Sequence, residues 1–440
     1  MNFTIEDLIN ATGAKPILAN ESEDELVVST DTRTIGAGMI YLPLKGENFN
    51  GFDFIQQALD AGASGYFTEN PDDIYLDAEV ILLVKNTKEA YLQIAEYYKN
   101  KVNPKTVMIT GSSGKTTVKE MMAAVASVKF KTHKTKLNHN NEIGLCQTFL
   151  SMPDDTEVLI AEGGMRGLGE IELISKYTKP DAAIITNVGT AHIGRLGSVE
   201  NIAKAKCEIV KYLKNDGILT APDNNLIKKF NDFSGKTNYI NFDKIKILNS
   251  DEKGSEFVYD GNKYFVSLEG AHNVQNAALV IETALFLGMS PEEINKGLSN
   301  IKTLDKRWET QVIGNLKIIN DSYNSNPDSV KAAIKTFLEI YEGKKIVVLG
   351  DMGELGENAE KYHKETGDYL EKFNFDVLLT VGELSKNINP KNAETVHFDD
   401  KKEVAKYLFE NCKNETYVLF KASRSMKFEE IIEELKKYAD

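Results

Sequence analysis

The sequence has few cysteines, no excess of basic residues and no long apolar run. Its three cysteines, Cys146, Cys207 and Cys412, lie far apart without a CxxC pair, so we expect no disulfide framework and a reducing compartment. The formal net charge is -14 at pH 7. Because a general nucleic-acid binder needs basic residues to displace phosphate counterions, this class is not expected. A small anionic substrate is compatible with this net charge, since a single pocket can be positive on an acidic protein.

Membrane insertion and secretion are not expected either. The longest apolar stretch, Ala277 to Met289, is interrupted by Glu282 and is too short to span a bilayer. The first residues, MNFTIEDLINATG, carry acidic groups where a signal peptide has a basic region followed by an apolar run. We therefore expect a cytoplasmic protein, and we expect a monomer.

The order of apolar and amphipathic segments predicts an α/β fold. A chain of 440 residues is too long for one compact core. The first hundred residues mix short strands and helices, and a helix over 87–101 ends at Asn103-Pro104, because proline disfavours helix in the residue before it. From Thr106 the alternation is typical of a doubly wound parallel sheet, and after residue 310 it resumes in a Rossmann-like plan. The predicted domains are a small α/β domain over 1–103, a central P-loop-type domain over 104–309 and a C-terminal domain over 310–440.

The segments of the central domain follow from this alternation. Strands are predicted over 107–110, 158–161 and 183–187, and helices over 116–128, 169–177 and 199–213. Residues 217–268 are richer in strand pattern and contain a hairpin around Asp260-Gly261, a favoured tight-turn pair.

A glycine-rich loop, GSSGKTT, joins the first of these strands to a helix. Small residues let backbone N–H groups approach an anion, and the helix N-terminus adds the positive end of its dipole. The lysine can reach terminal phosphates, and the following threonine can ligate magnesium. Because Ile109 stands where the full pattern has glycine, a plain glycine-rich turn is the alternative. The residues assigned to the phosphate site are Gly111, Ser112, Ser113, Gly114, Lys115, Thr116 and Thr117.

Three further candidates follow neighbouring apolar runs. Glu162 comes directly after 158–161, His192 follows 183–187, and Lys206 lies on the next helix. Since ligands gather at the carboxyl ends of parallel strands, these groups are expected beside the terminal phosphate, where magnesium ions bridge phosphate oxygens. Each has a plainer interpretation by itself: a turn cap, a structural histidine and a solvated helix face.

At this point the chain resembles the Mur ligases, the ATP-dependent amide-forming enzymes of peptidoglycan precursor synthesis. The resemblance spans nearly the whole chain. Two later segments, 321–329 and 350–356, resemble the member that adds D-alanyl-D-alanine, whereas the Asp-Asn-Pro-Arg motif of the sister enzyme that adds the third amino acid is missing from the sequence. Gly194 departs from the family pattern, which commonly has glutamate there. The central segments that carry the resemblance are 111–117, 138–144, 161–165, 169–171, 186–192, 205–209 and 270–276.

The resemblance implies roles around ATP. Thr116, Glu162 and His192 would hold Mg2+, and Lys206 matches a family lysine that carbon dioxide converts to a carbamate, a further metal ligand. The catalytic set implied by the resemblance is Lys115, Glu162, His192 and Lys206. On the nucleotide side, the resemblance assigns Asn273 and Asn276 to the adenine base. It places Arg307 and Asp321 around the nucleotide, at the hinge between the central and the C-terminal domains.

The resemblance also implies the substrate side chains. Arg33 and Lys45 suit the diphosphate of a uridine diphosphate sugar, although both also fit ordinary surface cations. Thr30 and Asp31 belong to the same segment. Near the reacting carboxylate and the incoming dipeptide, the resemblance assigns Asn138, Asn141, Lys421, Ser423 and Arg424.

The implied reaction is an ATP-dependent ligation. The carboxylate of UDP-N-acetylmuramoyl-tripeptide would be activated as an acyl phosphate and then joined to the amine of D-alanyl-D-alanine. The alternatives are a sister Mur ligase that adds lysine or diaminopimelate, and a nucleotide-dependent binding or switch protein without ligation. A switch protein would not need Lys206.

Overall fold

The computed structural model describes residues 1–19, 25–46, 48–75, 77–136, 138–301 and 306–439. Among them, no helix is both long and apolar enough to cross a membrane. The helices are α1 (Ile5–Thr12), α2 (Ile55–Asp60), α3 (Thr87–Val102), α4 (Lys115–Ala126), α5 (Glu142–Leu150), α6 (Glu170–Thr178), α7 (Ile193–Leu196), α8 (Val199–Cys207), α9 (Asn225–Phe230), α10 (Ala271–Phe286), α11 (Pro291–Leu298), α12 (Pro327–Ile340), α13 (Ala359–Leu370), α14 (Lys401–Asn411) and α15 (Glu429–Ala439). The strands are β1 (Lys15–Ala19), β2 (Val27–Ser29), β3 (Met39–Tyr41), β4 (Gly65–Thr68), β5 (Val80–Leu83), β6 (Lys105–Thr110), β7 (Thr132–Lys134), β8 (Val158–Glu162), β9 (Ala182–Ile185), β10 (Ile218–Pro222), β11 (Lys236–Ile240), β12 (Lys246–Asp251), β13 (Gly254–Tyr259), β14 (Asn262–Val266), β15 (Glu309–Ile313), β16 (Leu316–Asn320), β17 (Lys344–Gly350), β18 (Val377–Val381), β19 (Glu394–Phe398) and β20 (Thr416–Lys421).

Residues 1–105 and 135–159 form one compact unit. Its sheet has the order β1-β5-β4-β3-β2, in which β1 runs antiparallel to β5 and the other strands pair in parallel. Helix α3 packs against α1 and α5. Asn103 adopts a left-handed conformation and ends α3, as the Asn-Pro pair predicts. The segment 135–159, which the predicted boundaries assign to the central domain, therefore groups with the N-terminal residues.

The second unit comprises 106–134 and 160 onward, and it contains the central and the C-terminal sheets. The central sheet has the order β11-β10-β9-β6-β8-β7. Because β8 and β9 lie on opposite sides of β6, the loop after β6 sits where the strand order reverses, which is where open α/β sheets bind ligands. The C-terminal sheet has the order β15-β16-β20-β17-β18-β19, with β15 antiparallel at one edge and parallel pairs beyond it.

The sequence prediction is confirmed in the hairpin β13–β14 and is wrong in helix α8. The hairpin β13–β14 turns at Asp260 and Gly261, with φ values of 45° and 76°, as predicted. The helix predicted over 199–213 was wrong in length: α8 ends at Cys207, and a 3-10 turn covers Glu208–Val210. The Glu208 carboxylate accepts bonds from the backbone N–H groups of Gly169 and Glu172, at 2.8 and 3.3 Å. These bonds hold the turn to the start of α6.

Candidate active site

The phosphate loop between β6 and α4 takes a shape that depends on its glycines. The strand before it is fully buried at Val107, Met108 and Ile109. A Cβ on Gly111 would overlap the Thr186 side chain, and Gly114 has a φ of 76°. Because α4 begins at the residue after Gly114, its first N–H groups have no intrahelical acceptor and face the loop.

The end of the neighbouring strand β9 closes this loop. Asn187 Oδ1 accepts bonds from the Ser112 and Ser113 backbone N–H groups at 3.0 and 2.9 Å, and its Nδ2 donates to Ser113 Oγ at 2.6 Å. The Gly189 N–H donates to Ser112 Oγ at 2.9 Å. Asn187 thus shapes the loop, and the sequence analysis gave this residue no role. Its position directly after an apolar strand was the available signal.

Lys115 lies folded over the loop. Its Nζ donates to the Gly111 carbonyl oxygen at 2.8 Å. Burial lowers the pKa of this ammonium group, and the nearby Glu162 carboxylate partly opposes the shift. The Lys115 side chain therefore lies against the loop of small residues, and its contact with terminal phosphates stays a prediction.

Glu162 lies beside Thr116 and a lysine that the sequence analysis missed. Its carboxylate is buried, with Thr116 Oγ1 donating to Oε1 at 3.3 Å and Lys119 Nζ 3.6 Å from Oε2. Lys119 Nζ also lies 3.3 Å from Glu120 Oε1, and Glu120 pairs in turn with Lys134. Opposite charges therefore alternate from the protein surface to the phosphate loop.

Lys206 is fully buried and does not lie on the solvated helix face that its sequence context suggested. Among the residues that the structure describes, its Nζ has no hydrogen-bond partner. Burial, reinforced by the charge of Lys115, lowers the pKa of Lys206 well below its ordinary value, while Glu208 and Glu162 oppose the shift. This environment therefore disfavours the charged ammonium form of the side chain.

His192 was expected to face the terminal phosphate, and the structure gives its ring a partner in the loop that follows β17. Nδ1 lies 2.6 Å from Glu354 Oε2. In the part of the chain that the structure describes, no three His, Cys, Asp or Glu side chains are grouped closely enough to hold a metal by themselves. Mg2+ usually takes only one or two protein ligands beside phosphate oxygens and water, so the Thr116–Glu162 pair still fits it.

The residues assigned to the nucleotide lie at the start of α10 and near the C-terminal sheet. Asn276 Oδ1 would be 3.2 Å from a Cβ on Gly114, which places its amide against the phosphate loop. Its Nδ2 donates to Asn273 Oδ1 at 3.5 Å, and Asn273 Nδ2 donates to the Glu269 carbonyl oxygen at 2.8 Å. The Arg307 guanidinium lies 4.0 Å from the Tyr323 ring centroid.

The candidate dipeptide residues gather at the carboxyl ends of β16 and β20. Lys421, almost fully buried, donates to Asp321 Oδ2 at 2.6 Å, so two of the predicted residues meet. Ser423 Oγ accepts a bond from the Gly353 N–H at 2.6 Å. Arg424 is more exposed and pairs with Glu429 at 2.6 Å.

The remaining candidates lie in the first unit. Arg33 is largely exposed and donates to both oxygens of Asp31, at 2.9 and 2.7 Å, which lowers the pKa of Asp31 to about 2. Asn141 accepts from the Gly144 N–H at 2.9 Å and caps α5. Thr30 directly follows β2. The backbone of Lys45 forms an isolated antiparallel β-bridge with Asn50. The Asn138 carbonyl oxygen accepts a hydrogen bond from the Asn140 N–H at 2.7 Å.

Comparison with known proteins gives the family. Residues 27–106 match the Mur ligase family catalytic domain, 109–284 the Mur ligase middle domain, and 306–424 the Mur ligase, glutamate ligase domain. A UDP-N-acetylmuramoyl-tripeptide--D-alanyl-D-alanine ligase of Bacillus subtilis is 38% identical over 96% of both chains, and one of Escherichia coli is 33% identical over 93% of both. The chain belongs to the Mur ligase family.

The fold of this Mur ligase agrees with that of solved structures. A MurF structure from Acinetobacter baumannii has a TM-score of 0.92 at 28% identity and covers 99% of both chains. A Thermotoga maritima MurF ligase in complex with ADP has a TM-score of 0.85 at 28% identity, over 94% of this chain and 97% of the other. The predicted fold class and the predicted ATP-dependent ligase activity are confirmed, whereas the exact domain boundaries and the site assignments stay predictions.

The structure of this Mur ligase also reveals a buried carboxylate near the hinge, which the sequence analysis missed. Glu269 accepts from Trp308 Nε1 at 2.7 Å, and the Tyr341 hydroxyl lies 2.9 and 2.8 Å from its two oxygens. Burial raises the pKa of Glu269, although both hydrogen bonds oppose the shift. Because the Glu269 carbonyl also holds Asn273, the network joins Trp308, before β15, and Tyr341, after α12, to the start of α10. Its members lie far apart in sequence, so no local pattern could have revealed it.

Proposed function

We propose that this Mur ligase joins the amine of D-alanyl-D-alanine to the free carboxylate of UDP-N-acetylmuramoyl-tripeptide in the cytoplasm, with ATP as the energy source. One observation carries the proposal: a phosphate loop with Lys115 folded over it lies directly beside the paired Thr116 and Glu162 side chains. The names of the relatives in Bacillus subtilis and Escherichia coli support this choice of substrates. The segments 321–329 and 350–356 support it as well.

In the first step the substrate carboxylate attacks the γ-phosphorus of ATP. A new oxygen–phosphorus bond forms, the bond to the β–γ bridging oxygen breaks, and ADP leaves. Lys115 and the loop N–H groups neutralise charge on the transferring phosphoryl group, which is the main source of catalysis in phosphoryl transfer. Asn273 and Asn276 would hold the base, with Arg307 and Asp321 nearby.

In the second step the dipeptide amine attacks the acyl carbon. The new carbon–nitrogen bond forms as phosphate leaves, and the amine gives up its proton. Lys421, Ser423 and Arg424 would hold the dipeptide, while Asn138 and Asn141 would hold the acyl group. The uridine diphosphate end would lie on Thr30, Asp31, Arg33 and Lys45, since cationic groups suit a diphosphate.

Mg2+ fits the acidic side of the site. Thr116, Glu162 and His192 are the residues that would hold it. When bound, the metal neutralises phosphate oxygens and holds them for attack. The buried, paired position of Glu162 suits this role, because its carboxylate is oriented before any ligand arrives.

Lys206 would be a carbamate in the working enzyme. Carbon dioxide adds to the neutral amine, a nitrogen–carbon bond forms, and one proton is released to solvent. The product is an anion suited to a second Mg2+. In 13C-bicarbonate the wild type should give a carbamate NMR signal that Lys206→Ala lacks. A spectrum without this signal in the wild type would contradict the modification.

The ligation itself is tested by product analysis. The protein is incubated with ATP, Mg2+, UDP-N-acetylmuramoyl-tripeptide and, in separate reactions, D-alanyl-D-alanine, lysine or diaminopimelate. We expect equal amounts of phosphate and amide with D-alanyl-D-alanine, and no amide with the other two amines. Amide with lysine or diaminopimelate alone would identify a sister activity, and phosphate release without any amide would exclude ligation.

A further inference from the structure

Two residues with unusual backbone geometry meet where the central and C-terminal sheets contact each other. His192 has a φ of 65° and Glu354 has a φ of 61°, both in the left-handed region that residues other than glycine rarely adopt. Their side chains touch, with Nδ1 of His192 2.6 Å from Oε2 of Glu354. This is an ion-pair contact rather than an aligned hydrogen bond, and the buried Nδ1 has no hydrogen-bond partner among the described residues. Such conformations cost energy and persist only where surrounding contacts hold them, and they cluster at functional sites.

The two backbones also approach closely. The Gly194 N–H donates to the Glu354 carbonyl oxygen at 3.0 Å. A Cβ on Gly194 would stand 2.8 Å from Cα of Gly356, so a side chain at position 194 would push the segments apart. The glycine at this position lets the Glu354 loop reach His192.

We propose that Glu354 is a positioning residue that orients the His192 imidazole for phosphoryl transfer. The inference rests on the proposed function, in which His192 acts at the phosphate site. A carboxylate on one ring nitrogen fixes both the tautomer and the rotation of an imidazole, which leaves Nε2 for the ligand. Because Glu354 lies between β17 and α13, His192 is oriented only while the C-terminal sheet is docked as in this structure.

A simpler role for Glu354 would be to tether the C-terminal part of the chain to the loop that carries His192, without orienting the imidazole. A second contact between the same segments separates the two roles. Asp328, at the start of α12, accepts bonds from Thr190 N and Thr190 Oγ1, both at 2.7 Å. This contact joins the same loop to the C-terminal part without touching the imidazole. Asp328→Ala is therefore a matched control for Glu354→Ala.

The experiment compares full-length Glu354→Ala, Glu354→Gln and Asp328→Ala with the wild type in the ligation assay. We expect Glu354→Ala to lower kcat by about 10- to 100-fold, the usual effect of removing a carboxylate that supports a working histidine. KM for the UDP-tripeptide should change by no more than about twofold, since the substitution removes no group proposed to bind this substrate. Glu354→Gln, which keeps an acceptor for Nδ1–H, should recover most of kcat, and Asp328→Ala should retain it.

Calorimetry adds a measurement that does not depend on turnover. ADP is titrated into each variant with and without MgCl2. We expect Glu354→Ala to lose most of the gain in ADP affinity that Mg2+ gives the wild type, with unchanged affinity for Mg2+-free ADP. Asp328→Ala should keep that gain.

Three results would overturn the inference: equal losses of kcat in Glu354→Ala and Asp328→Ala, an unchanged kcat in Glu354→Ala, or a Glu354→Gln variant as impaired as Glu354→Ala. Failure of the proposed function would look different, because the wild type itself would then form no amide.

Discussion

Two lysines near the phosphate loop, Lys119 and Lys206, are both almost completely buried, yet their surroundings differ. Lys119 lies 3.6 Å from one carboxylate and 3.3 Å from another. Lys206 has no hydrogen-bond partner for Nζ among the described residues, and burial moves its pKa well below the ordinary value.

This difference separates a structural cation from a chemically available amine. A charged group can stay buried when opposite charges lie close to it, since their attraction offsets the lost hydration. Without such partners the group releases its proton instead, and a neutral amine is a nucleophile. We therefore expect Lys119 to act in the site by its charge and Lys206 by its reactivity.

The largest expected effect comes from removing the reactive amine. Lys206→Ala should lower kcat/KM for ligation by about 1,000-fold, because the site loses the group that would become the carbamate for the second Mg2+ and so loses stabilisation of the developing charge. Lys204 lies on the same helix and is exposed, so Lys204→Ala is the matched control and should stay near wild type. Equal rates for both variants would remove the distinction between the two buried lysines.

Removing Lys119, the structural cation, should lower the stability of the protein. Lys119→Met leaves the Glu162 carboxylate buried without its lysine and should cost about 3 kcal/mol of unfolding free energy in urea. Lys134→Met removes a half-exposed partner of Glu120 and should cost less than about 1 kcal/mol. A larger loss in Lys134→Met than in Lys119→Met would contradict the assignment.

A third base, the half-buried His272, extends the comparison to pH. Burial lowers the pKa of His272 to about 4, with Asp321 opposing the shift and Lys421 adding to it. Between pH 6.5 and 4 the unfolded chain binds a proton at this residue and the folded chain does not, so stability falls as the pH drops. We expect His272 to account for about 2 kcal/mol of this loss. In His272→Gln the slope of unfolding free energy against pH should be correspondingly smaller; an unchanged slope would mean that His272 titrates normally.

The smallest effect tests a buried carboxylate that relies on neutral donors. Tyr341→Phe removes the hydroxyl that donates to Glu269 and should cost about 1.5 kcal/mol, the usual contribution of a hydrogen bond to a charged group. Tyr417→Phe is the control, because its hydroxyl donates to the exposed Glu252 at 3.1 Å. Thermal and urea unfolding should rank the two variants in this order, and the reverse order would argue against a structural role for Glu269.

The local sequence pattern was sufficient to predict the strand and the helix that carry the phosphate loop. The run 107–110, the glycines at 111 and 114 and the helix after them are contiguous, so their geometry follows from short-range sterics and helix formation. Glu162 could be placed by the rule that ligands meet at strand ends, and the structure has it beside Thr116. The end of α8 could not be predicted, because Glu208 is held by backbone groups of a different helix.

The sequence by itself determined the fold class, the family and the chemical identity of the phosphate loop, because periodicity and contiguous motifs carry that information. Only the tertiary structure decided which ionisable groups are buried, which charges lie beside them, and how Glu269 and Glu354 join segments far apart along the chain. Charge state and side-chain orientation depend on desolvation and on neighbours brought together by folding. Neither quantity is encoded in the spacing of residues along the chain.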